Sequence, residues 1–433
     1  MRILLTNMVL GQGSGTETLI RDLSLELRRR GHAVICFAPL IGSLAVEIRA
    51  TGTPVVRSLA AVAEPPDIIH GHHGGPTMMA LARFPQAQAV FVCHDWSSVY
   101  DDPPVHPRIG RYLYVRHVLR ERLVSEKSIP PDQVEFWGNT IDVARVGQPK
   151  VLPSRPRNAG VYGHLGGIPF LDALDEACAA RGIGFLGELT ATADRHNVEQ
   201  VLPRCDLVFA SGRMALEAIA AGCAVINADR FGVGGLVTSA RLTEFMAANF
   251  AIGALSMPPT HATLVHALDA YDAADAALVT TRIRQDCDIA VGAARLEAIY
   301  QTVLAGAAAT PVDHQSECLA LACYLEENLQ QGRLYHGEFV RRSFTPTPES
   351  EVHATVLKLR LTVERLSSAV DELAHQTSSL SNARIGSLIG SIFRAVRKRW
   401  RLWRSGSIRF KGDIGASRDG PQAATQDRSR QDV

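Results

Sequence analysis

The chain has 433 residues, 46% hydrophobic and 21% charged, which is too long for one small domain and too apolar for wholesale disorder. A net charge of +1 gives no general reason to expect nucleic acid as a partner. The charge is unevenly placed, however: nine Lys or Arg and no acid lie between Arg384 and Lys411, leaving the remainder at −8. No apolar run approaches the roughly 18 to 20 residues that span a bilayer. Met1 to Leu10 is too soon interrupted by the glycines of 11–15 to be a secretory leader. The eight cysteines are scattered without paired C-x-x-C clusters, so they read as buried reduced thiols of a cytoplasmic protein.

In chain order, Arg2 to Thr6 is a β-type apolar run leading into Gly11-Gln12-Gly13-Ser14-Gly15-Thr16. Leu19, Leu23, Leu25 and Leu27 follow on a helical stretch that stops at Gly31-His32, and Ala33 to Ala38 is a second buried strand. Strand, glycine loop, helix, strand is the opening of a doubly wound α/β unit. Strands at Pro54 to Arg57, Asp67 to His70, Gln88 to Cys93 and Val134 to Trp137 continue it, so a first domain is expected over 1–146. Pro149, Pro153 and Pro156 mark 147–158 as a linker. The alternation restarts with strands at Ala159 to Gly163, Ile183 to Leu186, Asp206 to Ala210 and Ala224 to Ala228, with helices at Gly166 to Arg181 and Arg213 to Ala221. This predicts a second unit over 159–309. The expected class is α/β, with two Rossmann-like doubly wound domains facing a cleft, where open sheets bind their ligands.

Beyond a connector at 310–349, Val352, Val356, Leu359, Val363, Leu366, Val370, Leu373 and Leu380 alternate by four and three, with Thr377 filling one step. Val at a and Leu at d predict a parallel coiled-coil homodimer over 350–383, against a single amphipathic helix packed on its own chain. Residues 384–411 form a basic amphipathic segment. Ile385, Leu388, Ile389, Ile392, Phe393, Trp400 and Trp403 accompany its Arg and Lys, which suits an anionic membrane surface, with 385–404 lying in the interface. Nucleic acid is not expected as the partner, and 412–433 reads as a disordered tail.

Two motifs carry chemistry. The glycine loop has Thr16 where a dinucleotide fingerprint wants a third Gly, and the second strand ends in Ala38-Pro39 without an acid, which disfavours NAD(P). The loop and helix start, Gly13, Ser14, Gly15 and Thr16, remain suited to a sugar or an anion. The stronger motif runs from Ser211 to Ile226. A strand ends at Ala210, Ser211 and Gly212 open a helix, and Glu217 sits about a turn and a half in, before the Gly222 stop. A carboxylate there can accept both hydrogen bonds of a ribose diol, and Arg213 with the first-turn amides suits a diphosphate. His70, His72 and His73, with His94 one strand on, read as polar cleft lining rather than as a metal site.

Glu217-Ala218-x-Ala220-x-Gly222-x-Ala224-Val225 resembles the donor-site helix of GT-B glycosyltransferases, the retaining family 4 in particular. Gly15-Thr16-Glu17, Arg30-Gly31-His32-Ala33-Val34, Asp67-Ile68-Ile69-His70-Gly71-His72, Cys93-His94-Asp95 and Gly138-Asn139-Thr140-Ile141-Asp142 follow in the matching order, so the resemblance spans about 1–305. It implies a hexosyltransferase-type enzyme that uses a nucleotide sugar and a glycan or lipid-linked acceptor in surface glycan or glycolipid biosynthesis. No metal or other cofactor is implied. Glu217 would hold the ribose, with Ser211, Gly212, Arg213 and His164 at the donor. Gly13 to Thr16 would line the cleft, and a neutral His94 would face the transferred sugar. Two departures stand out. Phe209 occupies the place of the family's first acid, and 163–170 lacks the usual Arg and Lys. Retention of configuration therefore stays open, as do an inactive dimeric scaffold or binding protein and a nucleotide-sugar epimerase on the same fold. The enzyme would be cytoplasmic and peripheral on the inner face of the cell membrane.

Overall fold

The computed structural model describes residues 1–11, 15–95, 99–163, 168–189, 201–309 and 312–343. Gly13, Ser14, His164, the expected coiled coil, the basic segment and the tail lie outside the described residues. Met1–Arg333 forms one compact unit that holds both sheets. The described part of Leu334–Val433 is the end of a helix.

The first sheet starts with β1 (Arg2–Thr6), whose residues from Ile3 onward are all buried, as a strand covered on both faces requires. A short β2 (Val9–Leu10) precedes α1 (Gly15–Arg29), where Leu19, Ile20, Leu23 and Leu27 make the buried stripe. Gly31 ends this helix at φ +88°, and the His32 amide reaches back to the Leu27 carbonyl at 3.1 Å. Then come β3 (Ala33–Phe37), β4 (Leu40–Ile41), α2 (Ser43–Ala50), β5 (Val55–Val56), β6 (Ile68–Gly71), α3 (Gly74–Arg83) and β7 (Gln88–Cys93). The sheet is completed by β8 (Ile109–Tyr114), then α4 (Val118–Glu121) and β9 (Val134–Phe136). Its order is β5-β3-β1-β6-β7-β8-β9, parallel throughout.

After α5 (Val143–Val146) the second sheet is built from β10 (Asn158–Val161), α6 (Ile168–Ala179), β11 (Gly184–Glu188), β12 (Leu207–Ala210), α7 (Gly212–Ala220), β13 (Ala224–Asp229) and β14 (Gly232–Leu236). Its order is β11-β10-β12-β13-β14, with only β14 antiparallel. Gly222 closes α7 at φ +86°, and any Cβ there would stand 2.6 Å from the Lys150 backbone, so the linker can run against the helix end only past a glycine. Three helices follow, α8 (Leu242–Ala247), α9 (His261–Asp269) and α10 (Ala273–Asp286).

The expected end of the second domain at 309 is corrected by the next helix. α11 (Ile289–Ala309) leaves the second sheet, and its Ile289, Ala293, Leu296, Ile299, Tyr300 and Val303 join the core of the first. The spacing of four and three along a helix is what permits one continuous buried stripe. At the other crossing, Ile141, Val143 and Val146 already belong to a core of the second sheet. The chain thus passes between the domains twice, near 138–141 and near 288, where Ile141 and Asp288 pair as an isolated bridge. Finally α12 (His314–Ser343) starts on the first domain, with Glu317 2.8 Å from the Arg108 guanidinium and Glu327 3.0 Å from Lys127.

Candidate functional site

The strand-to-helix turn at α7 forms as its residues suggest. Ser211 is extended, at φ −135° and ψ 162°, and its side chain does not cap the helix. Gly212 takes φ +59°, which a residue with a Cβ rarely adopts, and its amide donates to the Phe250 carbonyl at 2.8 Å. Two expected donor residues then turn inward together. Arg213 is 7% and Glu217 4% exposed, with the Arg213 Nε 3.4 Å from the Glu217 Oε1.

Neither group faces open solvent, because three residues missed in the sequence close over them. Arg145 of α5 donates from Nη2 to Glu217 Oε1 at 2.7 Å, and the Tyr162 hydroxyl at the end of β10 donates to Oε2 at 2.6 Å. Burial, and then the Glu217 charge beside it, push the Tyr162 phenol well above its ordinary range, so it stays a donor. Arg213 donates to the Thr140 carbonyl and to Asp22, which comes from α1 of the first domain. Asp22 is 3% exposed and is also held by Arg21 Nη2 at 2.7 Å. Burial alone would raise its carboxyl, yet Arg213, Arg21 and Arg145 together hold it below the usual carboxylate range. At this point of the expected cleft the domains touch through ion pairs. The sequence signal for Asp22 is a charge set among Leu19, Ile20 and Leu23; for Tyr162 it is a polar aromatic at the carboxyl end of a strand.

The second group lies at the carboxyl ends of β6 and β7. His70 and His72 are wholly buried, their rings 4.6 Å apart, and His72 Nδ1 is 2.7 Å from His94 Nε2 with the rings stacked. The His94 carbonyl is 3.5 Å from Arg116, which pairs with Asp95 at 2.5 Å. Burial pushes both His70 and His94 down to about 3 and His73 to about 4, so all three are neutral near pH 7. His73 Nδ1 accepts the Met8 amide at 2.9 Å. Among the described residues no group of three or more His, Cys, Asp or Glu side chains is arranged to hold a metal ion.

The structure therefore gathers Arg213 and Glu217 into one cluster and His94 into another, and among the described residues no hydrogen bond or ion pair joins the two. Gly15 is exposed as the first residue of α1, with Thr16 behind it. Phe209, in place of an acid, is wholly buried in the second sheet's core.

A parallel seven-stranded sheet, a second five-stranded sheet and a helix that returns to the first make up the two-domain GT-B arrangement. The model of Glycosyltransferase Family 4 matches residues 13–145, from the start of α1 through the last strand of the first sheet. Over these residues the chain is similar to that family. Within the matched residues lie Asp22, the four histidines and Arg145, while Glu217 and Arg213 lie beyond them. A search of curated proteins found no match. Among solved structures, a glycosyltransferase from Rickettsia africae ESF-5 is 13% identical, covering 70% of this chain and 98% of its own, with a TM-score of 0.49. Anabaena HepE, solved in complex with UDP-glucose, is 15% identical over 70% of this chain and 100% of its own, with a TM-score of 0.49. The catalytic domain of Starch Synthase IV from Arabidopsis thaliana, bound to ADP and acarbose, is 11% identical over 70% and 99%, with a TM-score of 0.44. Among the described residues no helix is long and apolar enough to cross a membrane.

Proposed function

We propose that this chain is a glycosyltransferase that moves a sugar from a nucleotide-sugar donor to a glycan or lipid-linked acceptor in surface glycan or glycolipid biosynthesis. The observation that carries the reading is the Family 4 match over 13–145, on a chain whose α7, which follows a strand of the second sheet, holds Glu217 buried beside Arg213. Transfer breaks the bond between the anomeric carbon and the diphosphate oxygen and forms one to an acceptor oxygen, whose proton leaves. Catalysis is then mostly positioning and stabilisation of charge on the sugar ring and the departing diphosphate. Glu217 would accept the ribose hydroxyls after releasing Tyr162 or Arg145. His94, neutral near pH 7, would hydrogen-bond the transferred sugar or the charge developing on it. The proposal includes no metal or other cofactor and leaves the stereochemical outcome to product analysis. The chain would act as a dimer through 350–383 and sit on an anionic membrane through 385–404.

The test is transfer and hydrolysis from a panel of nucleotide sugars, with and without lipid acceptors, alongside calorimetry with UDP and GDP. Turnover of one donor supports the reading, and absence of any nucleotide binding overturns it. Phe209 in place of an acid favours a second reading, a binding protein, whose outcome is nucleotide binding without turnover of any donor.

A further inference from the structure

His72 sits just past the end of β6 on a backbone held from two sides. Its amide donates to the Thr6 carbonyl at 3.1 Å, and Gly71 before it lies so close to Thr77 that no Cβ would fit. The His72 ring is wholly buried, stacks on His94 at 5.0 Å between centroids, and has Nδ1 2.7 Å from His94 Nε2. Burial keeps both imidazoles neutral near pH 7, so a single proton occupies that contact. Either His72 Nδ1 donates it or His94 Nε2 does.

The neighbouring pair decides between the two. Tyr300 and His70 Nδ1 approach to 2.6 Å, a distance ordinary for an O–H donor and short for an N–H donor. The phenol therefore donates, and neutral His70 carries its proton on Nε2. His70 Nε2 and His72 Nε2 are both buried with no hydrogen-bond partner among the described residues, on rings 4.6 Å apart. Were His94 the donor, His72 too would carry its proton on Nε2, and two buried N–H groups would be stranded on adjacent rings. With His72 as the donor only one is stranded. An orphaned N–H is the rarer defect in a folded interior, so the second arrangement is favoured.

We propose that His72 is a positioning residue whose Nδ1–H donates to His94 Nε2 and so locks His94 in the tautomer with its proton on Nδ1. His94 is partly exposed, and its Nδ1 is neither sealed off nor hydrogen-bonded to a described residue, which leaves that edge for a ligand. His94 then meets a ligand oxygen only as a donor and offers no lone pair to a hydroxyl proton. A fixed donor is what an oxygen gaining negative charge requires. The consequence for turnover rests on the sugar contact proposed for His94 above, whereas the tautomer stands on the histidine contacts alone.

The test is NMR of the full chain with 15N-labelled histidine, comparing the parent with His72→Asn and His72→Phe and using His94→Ala to assign the His94 signals. Asn offers an amide N–H near the place of His72 Nδ1, while Phe keeps a ring and has no donor. His94 is expected to carry its proton on Nδ1 in the parent and in His72→Asn, and to move to Nε2 or to a mixture of tautomers in His72→Phe. A parent protonated on His94 Nε2, or a His94 tautomer unchanged in His72→Phe, overturns the proposal. With a nucleotide sugar that is turned over, His72→Phe is expected to lower kcat roughly tenfold or more with little change in KM, and His72→Asn to recover most of it. Packing alone predicts the opposite order, because Phe is closer to His in size and shape than Asn is. That opposite order would overturn the positioning role. Should His72→Phe not fold, the parent spectrum still decides the tautomer. His94 protonated on Nδ1 but with turnover unchanged in His94→Ala would keep the tautomer and overturn the sugar contact. His94 protonated on Nε2 with turnover lost in His94→Ala would do the reverse.

Discussion

The Tyr300 hydroxyl lies 2.6 Å from His70 Nδ1, both groups buried, so a helix that follows the second domain in sequence is fastened to a strand end of the first. Around this contact α11 fills the first core, and Gly110 of β8 faces Val303 so closely that a Cβ would stand 2.8 Å from it. The return helix is therefore structural to the first domain, and the histidine group depends on it.

Tyr300→Phe keeps the ring and deletes the oxygen, leaving His70 Nδ1 without its partner in a dry place. The expected loss is about 1–3 kcal/mol of stability, the range for a buried group deprived of its hydrogen bond. Urea unfolding of the two proteins measures it, and equal midpoints would show that the contact adds nothing.

Acid should destabilise the protein well above the carboxylate range. Burial holds His70 and His94 at about 3 and His73 and His106 at about 4 in the folded chain, whereas the unfolded chain protonates them near 6.5. The unfolded state thus binds more protons below 6.5, so this stability is complete above that pH and is lost as the pH falls towards 4 and 3. Each histidine contributes a slope of up to about 1.4 kcal/mol per pH unit in that window. Denaturant titrations at pH 7, 6 and 5 read the slope directly. A flat profile would contradict it.

Glu217→Gln should weaken UDP or GDP by about 1–3 kcal/mol, because an amide offers a ribose diol one acceptor oxygen instead of two. His94→Ala should instead lower turnover more than donor affinity, since its proposed contact is with the transferred sugar. Calorimetry and steady-state kinetics on the same donor separate the two. Unchanged nucleotide affinity removes Glu217 from the donor site, and turnover within about twofold of the parent makes His94 structural.

Six cysteines are buried and two, Cys318 and Cys323, are exposed on α12. Burial pushes Cys36, Cys93, Cys178, Cys223 and Cys287 up to about 12 and Cys205 to about 11, which suppresses their thiolates as well as their access. A thiol-specific chromogenic reagent should consume two thiols quickly in the native protein and all eight after guanidinium unfolding. More than two fast thiols would place one of the buried six at the surface.

For the C-terminal segments, vesicle flotation should show binding that requires acidic lipid and falls with salt as the charges are screened. Trp400→Ala with Trp403→Ala should weaken it even at low salt. Light scattering should find the full chain dimeric, and Val363→Asp should dissociate it by placing a charge in the seam. Equal binding to neutral vesicles, or a monomer at micromolar concentration, would reject these proposals.

Much of the architecture was legible because buried parallel strands read as continuous apolar runs: Arg2 to Thr6, Gln88 to Cys93 and Ala224 to Ala228 all became strands near their expected bounds. Four strands were missed, the two-residue Val9–Leu10 and Leu40–Ile41 and two longer ones. In Ile109–Tyr114, Gly110 and Arg111 interrupt the run, and Gly232–Leu236 is mostly glycine, so both are strands by virtue of their neighbours rather than their own propensity. The α7 motif was equally plain, since strand, Ser-Gly turn and small-residue helix are local features. Its surroundings were not. Glu217 meets Arg145 and Tyr162 across 72 and 55 residues, and Arg213 meets Asp22 across 191. Sequence by itself determined which segments are most of the strands and helices, because periodicity and turn residues act over a few positions. Only the tertiary structure decided that Glu217 is covered, that Asp22 reaches the second domain and that α11 returns to the first. Those outcomes depend on which buried charges find partners once the sheets are packed, and a neighbour far away in the chain leaves no trace in local pattern.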